Sequence, residues 1–379
     1  MRKIINIFRK WRLRDYTPLI EILIYKNRLL ENLHTFQAAY PRMEFAPDLK
    51  SNAYGHGLYE VASILEGEAC PFLCVDSYFE AMTLRAKGIR APLLVIGYID
   101  PENIKRRPLK NTSYAIVGLE HLKEMRETIK TPLAFHLKID TGMRRQGILP
   151  EEISEAVVII KNTKNIKIDG IFSHFADADN SHSAFTKKQI ETWNKCVRGI
   201  RSEIGGIRYA HLAATAGSFY SKKIEANAIR LGLGLYGYDP HQKRNLNLKP
   251  VLEMRTKITS IRKIKKEEVV GYGLTFKARQ NMTIATIPAG YYEGVDRRLS
   301  NKGFVTIDNI LCKIIGRVSM NMTCIDVSNI PKESLKNSIT VISTEPKDKN
   351  SVEGVAHLCK TNRHEILVHI PAHLRRIIV

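Results

Sequence analysis

Between about residues 40 and 240 the chain alternates two apolar patterns. Short runs rich in aliphatic and aromatic residues are MEFAPDLK (43–50), FLCVDS, PLLVIG, YAIVG, AFHLKID (134–140), IDGIFSH (168–174), RYAHLAA (208–214) and AIRLGL (228–233). Between them lie stretches such as LEHLKEMRETIK (119–130) and AFTKKQIETWNKCVRGIRSEI (184–204), whose apolar residues fall three and four apart, as in helices with one buried face. Eight strands alternating with helices predict a (β/α)8 TIM-type barrel. A doubly wound open sheet is the competing architecture, but no G-x-G-x-x-G turn follows the first strand.

After Tyr236 the pattern changes. HQKRNLNLKP (241–250) is polar and turn-rich, and strand-like runs follow it: MRTKITSI, MTIATIPA, GFVTI, KIIGRVSM and ITVIS, with helical spacing returning at VEGVAHLC. The expected organisation is a barrel domain over residues 15–244 and a mostly β C-terminal domain over 245–379. Residues 1–14 stand apart, with Ile4, Ile5, Ile7, Phe8 and Trp11 at helical spacing among six Arg and Lys side chains. Such a basic amphipathic helix suits an anionic membrane surface. Packing on its own protein, or fraying, is the preferred reading.

Composition narrows the class. A chain of 379 residues that is 44% hydrophobic and 26% charged can bury a sizeable core. No run has the length and apolarity of a membrane span, and charges interrupt the N-terminal apolar residues where a signal peptide needs an unbroken stretch. Six cysteines without a C-x-x-C pair fit a reducing compartment, so the expectation is a soluble cytoplasmic protein. The net charge of +21 raises a nucleic-acid reading. Much of the excess is scattered Lys, as in KNTKNIKI and IRKIKKEE, rather than a basic stripe with interleaved aromatics, so no nucleic-acid partner is expected.

The first strand ends in Lys50-Ser51-Asn52-Ala53-Tyr54-Gly55-His56-Gly57. A lysine there lies where barrel active sites are built, and partial burial would lower its pKa toward Schiff-base chemistry. The octapeptide resembles the K-A-N-A-Y-G-H-G signature of alanine racemases, and the likeness extends over nearly the whole chain from about Asp15. The resemblance implies that Lys50 carries pyridoxal 5'-phosphate (PLP) and that Tyr54 helps to bind it. Residues 138–147, KIDTGMRRQG, look like the family's K-x-D-T-G-M-x-R-x-G. By that likeness Lys138 is carbamylated, and Arg145 contacts the cofactor's phenolic oxygen and the substrate carboxylate. An unmodified Lys138 beside Arg145 would be like-charge repulsion, which a carbamate removes. Apart from the resemblance, Lys138 reads as a salt-bridging lysine.

Further matches follow in chain order. His174 in GIFSHFADAD is implied to bond the arginine under the cofactor ring; otherwise it reads as a satisfied structural histidine. HLAATAG (211–217) supplies Thr215 as a phosphate-binding hydroxyl, and IRLGLGLYG (229–237) supplies Arg230 facing the pyridine nitrogen and Gly232 offering its N–H to phosphate. A guanidinium cannot protonate that nitrogen, which favours returning the proton to Cα over transamination. Racemisation needs acid/base groups on both faces of the substrate. Lys50 is one. VVGYGLTFKA (269–278) resembles V-S-Y-G-R-T-Y-x-A and makes Tyr272 the other, although the residues alone show only a strand tyrosine.

The family places this tyrosine in its partner's site, implying a homodimer with shared active sites. GRVSMNMTCIDV (316–327) implies that Met320 binds the substrate carboxylate through its N–H, and AGYYEGVDRRLSNKG (289–303) that Tyr291 lines the mouth. Three positions depart from the family: Ala214 for asparagine, Asn321 for aspartate, and His364 in TNRHEIL for the tyrosine that helps hold phosphate. The expected function is PLP-dependent interconversion of L- and D-alanine, supplying D-alanine for peptidoglycan. A racemase of serine, lysine or a broader set on the same scaffold, or a catalytically weakened PLP-binding protein, are the alternatives.

Overall fold

The computed structural model describes residues 16–180, 182–240 and 246–379. The basic segment 1–14 lies outside the described residues, as does the expected boundary at 244/245. Among the described residues no helix is long and apolar enough to cross a membrane. The chain forms two compact units, one of Tyr25–Val251 and the other of Leu252–Val379 together with the residues up to Ile24.

The N-terminal strand β1 (Glu21–Ile24) is part of the second unit. In the first, helix α1 (Lys26–Ala39) buries Leu29, Asn32, Leu33 and Phe36, one stripe at helical spacing. Eight strands follow: β2 (Glu44–Pro47), β3 (Leu73–Val75), β4 (Leu93–Val95), β5 (Thr112–Ile116), β6 (Leu133–Lys138), β7 (Ile166–Phe172), β8 (Tyr209–His211) and β9 (Ala228–Leu231). Each falls on one of the eight apolar runs. Strands β3 to β8 form a six-stranded sheet in chain order, every neighbouring pair parallel, and β2 pairs in parallel with β9. The ring closes through backbone contacts. Asp48 bridges Cys74 in parallel, joining β2 to β3, while Asn227 N–H to Ala210 O and Arg230 N–H to Ala213 O, both 3.0 Å, join β9 to β8. This is the (β/α)8 barrel that the alternation predicts.

Its interior holds an unusual polar layer. His136 on β6 and His211 on β8 lie among Phe72, Phe172 and Tyr209, with ring centroids 5.2 Å apart for Phe72–His136 and for Phe172–His211. Gly170 on β7 leaves the room, since a Cβ there would stand 2.4 Å from His136 Nδ1. The β6–β7 register slips by one residue between Phe135 and His136, skipping Asp169, which takes the Arg208 guanidinium outside the slip.

The second unit is built on nine strands: β1, then β10 (Leu252–Thr256), β11 (Ser260–Ile264), β14 (Met282–Ile287), β15 (Phe304–Ile307), β16 (Ile310–Ile315), β17 (Thr323–Asp326), β18 (Ile339–Ile342) and β19 (Arg375–Ile378). Their order is β11-β14-β17-β16-β15-β18-β10-β1-β19, and a small hairpin of β12 (Val269–Val270) and β13 (Phe276–Lys277) stands beside them in sequence. The mostly β character follows the sequence expectation. The run MRTKITSI divides between β10 and β11, and KIIGRVSM stops at Ile315 because Gly316 turns with φ +71°.

The division of the chain differs from a simple boundary near residue 244. Strand β1 precedes the barrel, yet it lies antiparallel to β10 and parallel to β19, so the second sheet is assembled from both ends of the chain. Its apolar Ile22, Leu23 and Ile24 are buried there. Ile22→Ala, at a fully buried position between two strands, should cost about 2–5 kcal/mol of unfolding free energy in urea titrations; a loss below about 0.5 kcal/mol would mean that β1 is not an integral strand of this sheet.

Candidate active site

The carboxyl ends of β2, β6, β7, β8 and β9 bring together Lys50, Tyr54, Lys138, His174, Thr215, Arg230 and Gly232. Beyond Lys50 the backbone makes a left-handed turn: Ser51, Asn52, Ala53 and Tyr54 have φ between 52° and 56°, and Gly55 has φ 80°. For L-residues this conformation costs roughly 1–2 kcal/mol each. The turn is held by Ala53 N–H to Leu49 O (2.8 Å) and Gly55 N–H to Ser51 O (3.2 Å). Asn52, a residue type that tolerates this region, accepts Leu58 N–H on Oδ1 at 2.8 Å, and Glu80 Oε1 accepts Asn52 N–H at 3.2 Å. Strain at a functional site is thus fixed by surrounding bonds. Its result is that the Lys50 side chain and the Tyr54 ring emerge on one side, with Lys50 Nζ 5.8 Å from the ring centroid.

Arg230 is 3% exposed. One terminal nitrogen donates to His211 O and His211 Nδ1, both at 2.7 Å; the other donates to Ser173 O (2.7 Å), Leu212 O (3.1 Å) and His174 Nδ1 (3.1 Å). Because a guanidinium can only donate, both imidazoles must accept on Nδ1 and carry their proton on Nε2. His211 Nε2 then donates to His136 Nδ1 at 2.8 Å. Burial, then the Arg230 charge, pushes His174 and His211 well below the usual imidazole range. Burial likewise lowers His136 to about 3. Glutamine 189 on the helix Ala184–Glu203 secures the loop after β7, donating to Thr141 Oγ1 and His174 O and accepting from Ala176 N–H.

Thr215 Oγ1 accepts the N–H groups of Gly232 and Gly234, each at 3.1 Å. A Cβ on Gly232 would stand 2.8 Å from the Tyr54 hydroxyl, so the backbone approaches that hydroxyl as closely as only glycine allows. Two amides and two hydroxyls at the ends of adjacent strands form a donor set suited to a phosphate group. Lys138 is 8% exposed and donates to Gln146 Oε1 at 3.0 Å. Burial, then the charges of Arg145, Arg230 and Lys50, lowers it to about 8. Arg145 lies on the exposed loop after β6, whose turn Asp140 organises by accepting Gly142 and Arg144 N–H.

The other unit carries Tyr272, Met320 and His364. Tyr272 opens a single turn between β12 and β13 and is 72% exposed. Met320, 56% exposed, lies on the loop before β17, where Tyr292 N–H bonds its carbonyl at 2.9 Å. His364 is exposed on the helix Arg363–Val368. Asn321, read from sequence as a lost negative charge, donates at 2.6 Å to Glu293, a buried carboxylate that also accepts Gly290 N–H. An aspartate at 321 would face that carboxylate; the amide satisfies it. Sequence reading missed His136 and His211, whose signal was a histidine at alternate strand positions in HLKID and AHLAA. It also missed Asp48.

Residues 24–240 match the sequence model described as Alanine racemase, N-terminal domain, and residues 251–378 match Alanine racemase, C-terminal domain. The chain is 30% identical over 344 residues to the alanine racemase of Methanococcus maripaludis, covering 89% of this chain and 92% of that one. It is 33% identical over 336 residues to alanine racemase 2 of Oceanobacillus iheyensis, covering 87% and 85% respectively. The solved alanine racemase of Clostridium difficile 630 superposes with a TM-score of 0.89 at 27% identity, covering 96% of this chain and 97% of that one.

The histidine geometry has a consequence for stability. Unfolded imidazoles take up protons near pH 6.5, whereas the folded cluster stays neutral, so the unfolded state binds more protons below that pH. Stability should hold above about pH 6.5 and fall as pH drops toward 5, before most carboxylates titrate. Urea unfolding at several pH values measures this, and His136→Gln should flatten the slope; a level stability across that window would mean that the cluster is charged when folded.

Proposed function

The chain belongs to the alanine racemase family, and on that premise we propose that it interconverts L- and D-alanine by a two-base mechanism, with Lys50 and Tyr272 moving the α-proton on opposite faces. The observation that carries this reading is the meeting, at one end of one barrel, of Lys50, the Arg230–His174 pair and the donor set of Tyr54, Thr215, Gly232 and Gly234. These residues fit PLP. When bound, it supplies an electron-accepting ring that makes the substrate's α-proton acidic.

The chain's own groups then divide the work. Tyr54, Thr215 and the Gly232 N–H would hold phosphate, with His364 as the further donor that the resemblance implies. Arg230 would stand at the cofactor's ring nitrogen and, unable to surrender its proton, would not protonate it, which favours return of the proton to Cα. Arg145 and the Met320 N–H orient the substrate carboxylate. Lys50 Nζ exchanges the proton on one face and the Tyr272 hydroxyl on the other. His174, neutral with its proton on Nε2, is placed in this reading to hydrogen-bond that hydroxyl and link it to Arg230. Burial and the neighbouring cations lower Lys138 to about 8, which makes its neutral amine accessible near neutral pH. Its amine attacks carbon dioxide, an N–C bond forms, one amine proton leaves to solvent, and the resulting carbamate anion holds Arg145.

A homodimer with shared sites is what the resemblance implies for Tyr272. That side chain, Leu274 at 67% exposure, Tyr292 at 56% and Met322 at 53% are large apolar groups open on the second unit, as on an association surface. In this reading the partner's barrel receives them. D-alanine made in the cytoplasm supplies peptidoglycan.

Assay of purified protein with alanine, serine and lysine should show alanine turned over fastest; faster serine or lysine turnover would move the substrate to the broader class. In Tyr272→Phe the fold and cofactor binding should survive. In D2O that variant should still exchange the α-proton of D-alanine through Lys50, while exchange from L-alanine and net racemisation drop by orders of magnitude. Mixed with Lys50→Ala, it should regain part of the activity through heterodimers carrying one intact site. Undiminished exchange from L-alanine would remove Tyr272 from the mechanism. For Lys138, 13C-bicarbonate should yield a protein-bound carbamate NMR signal that is absent in Lys138→Arg; a signal persisting in that variant would place the carbamate elsewhere.

A further inference from the structure

Asp48 occupies the inward side of the barrel wall, two residues beyond the buried Ala46 of β2. It is 4% exposed. Its backbone is committed to the wall: the N–H donates to Leu231 O at 2.9 Å, and the carbonyl accepts the Tyr236 hydroxyl at 2.9 Å. Its carboxylate is turned to the site. Oδ2 lies 3.1 Å from Lys50 Nζ and accepts the Tyr54 hydroxyl at 3.3 Å, while Oδ1 accepts Lys50 N–H at 3.2 Å.

The charges within electrostatic reach make this carboxylate informative. Arg145 from the loop after β6 and Arg230 from β9 are cationic, Lys138 from β6 is so only before it is carbamylated, and Asp76 at the end of β3 acts on Lys138. Cys74, Tyr54 and Tyr236 are titratable groups that feel Asp48, and Glu80, which accepts Asn52 N–H, acts on Tyr236 as well. Burial first, and the Asp48 charge next, pushes all three up, so they remain protonated. Asp48 is therefore an anion in direct contact with Lys50.

We propose that Asp48 is a positioning residue for Lys50, anchoring the lysine nitrogen beside the phosphate donor set. Sharing Oδ2 between Lys50 Nζ and the Tyr54 hydroxyl ties the acid/base group to the cofactor seat. The inference rests on Lys50 being the lysine that carries the cofactor.

Asp48→Asn keeps the shape and the acceptor oxygen and removes the charge. In full-length protein freed of PLP, reductive methylation followed by peptide mass spectrometry reads the rate of Lys50 labelling at one fixed pH. That rate should rise severalfold in Asp48→Asn, which loses the ionic anchor, and stay near the wild-type rate in Asp48→Glu, which restores it. An unchanged rate in folded Asp48→Asn would overturn the proposal. A second measurement needs no Asp48 variant: 15N-lysine NMR of the cofactor-free wild type should show a Nζ proton signal protected from exchange and missing in Lys50→Arg, and its absence would also overturn the anchor. Failure of the underlying reading looks different, since Lys50→Ala would then retain a reducible cofactor adduct while the labelling rates behaved as expected.

Discussion

A guanidinium buried at the end of the barrel and held by three carbonyls and two imidazoles is the constraint on which the site depends. Arg230 cannot accept a hydrogen bond and does not give up its charge at neutral pH. Everything touching it must therefore present an acceptor. The carbonyls of Ser173, His211 and Leu212 are available because β7 and β8 end beside it, and the two imidazoles are forced into one tautomer and into neutrality. That choice passes through His211 to His136, deep among Phe72, Phe172 and Tyr209, where Gly170 and the β6–β7 slip make room. One obligatory donor thus sets protonation states across the barrel interior.

Charge in the site is graded. Lys50, Lys138, Arg145 and Arg230 make it strongly positive, which suits a phosphate and a substrate carboxylate and lowers the proton affinity of Lys138. The balancing anions are few and placed. Asp48 contacts Lys50 and Tyr54, while Asp140 is spent on the backbone of its own turn. The same economy appears in the second unit, where Glu293 meets the Asn321 amide instead of another carboxylate. The overall +21 does not produce this pattern, because most of that charge is dispersed lysine.

The motif around Lys50 has a physical reading. Four successive non-glycine residues in the left-handed region are costly, and the bonds of Asn52 and Glu80 together with Gly55 keep the turn in place. In a continued strand Lys50 and Tyr54, four residues apart, would share a face but stand about 13 Å apart along it. The turn delivers both to the phosphate donor set.

Much of this was legible along the chain. Each of the eight apolar runs became a barrel strand, because strand burial on an enclosed wall demands local hydrophobicity that period alone reveals. Lys50, Thr215, Arg230 and Gly232 were legible through the resemblance to the alanine racemase motifs, whose positions they match. The rest depended on partners distant in sequence. β1 lies inside the stretch expected to be barrel until β10 and β19 take its edges, more than 200 residues away. His136 and His211 read as ordinary strand residues until Arg230 dictates their tautomers. Asn321 looks like a lost charge until Glu293 stands opposite, and Asp48 like a break in an apolar run until Lys50 curls back over it. Local pattern determined which segments become strands and which residue types can carry the chemistry. Tertiary structure alone decided which charges face one another, because electrostatic and hydrogen-bond energies depend on distance in space and not on separation along the chain.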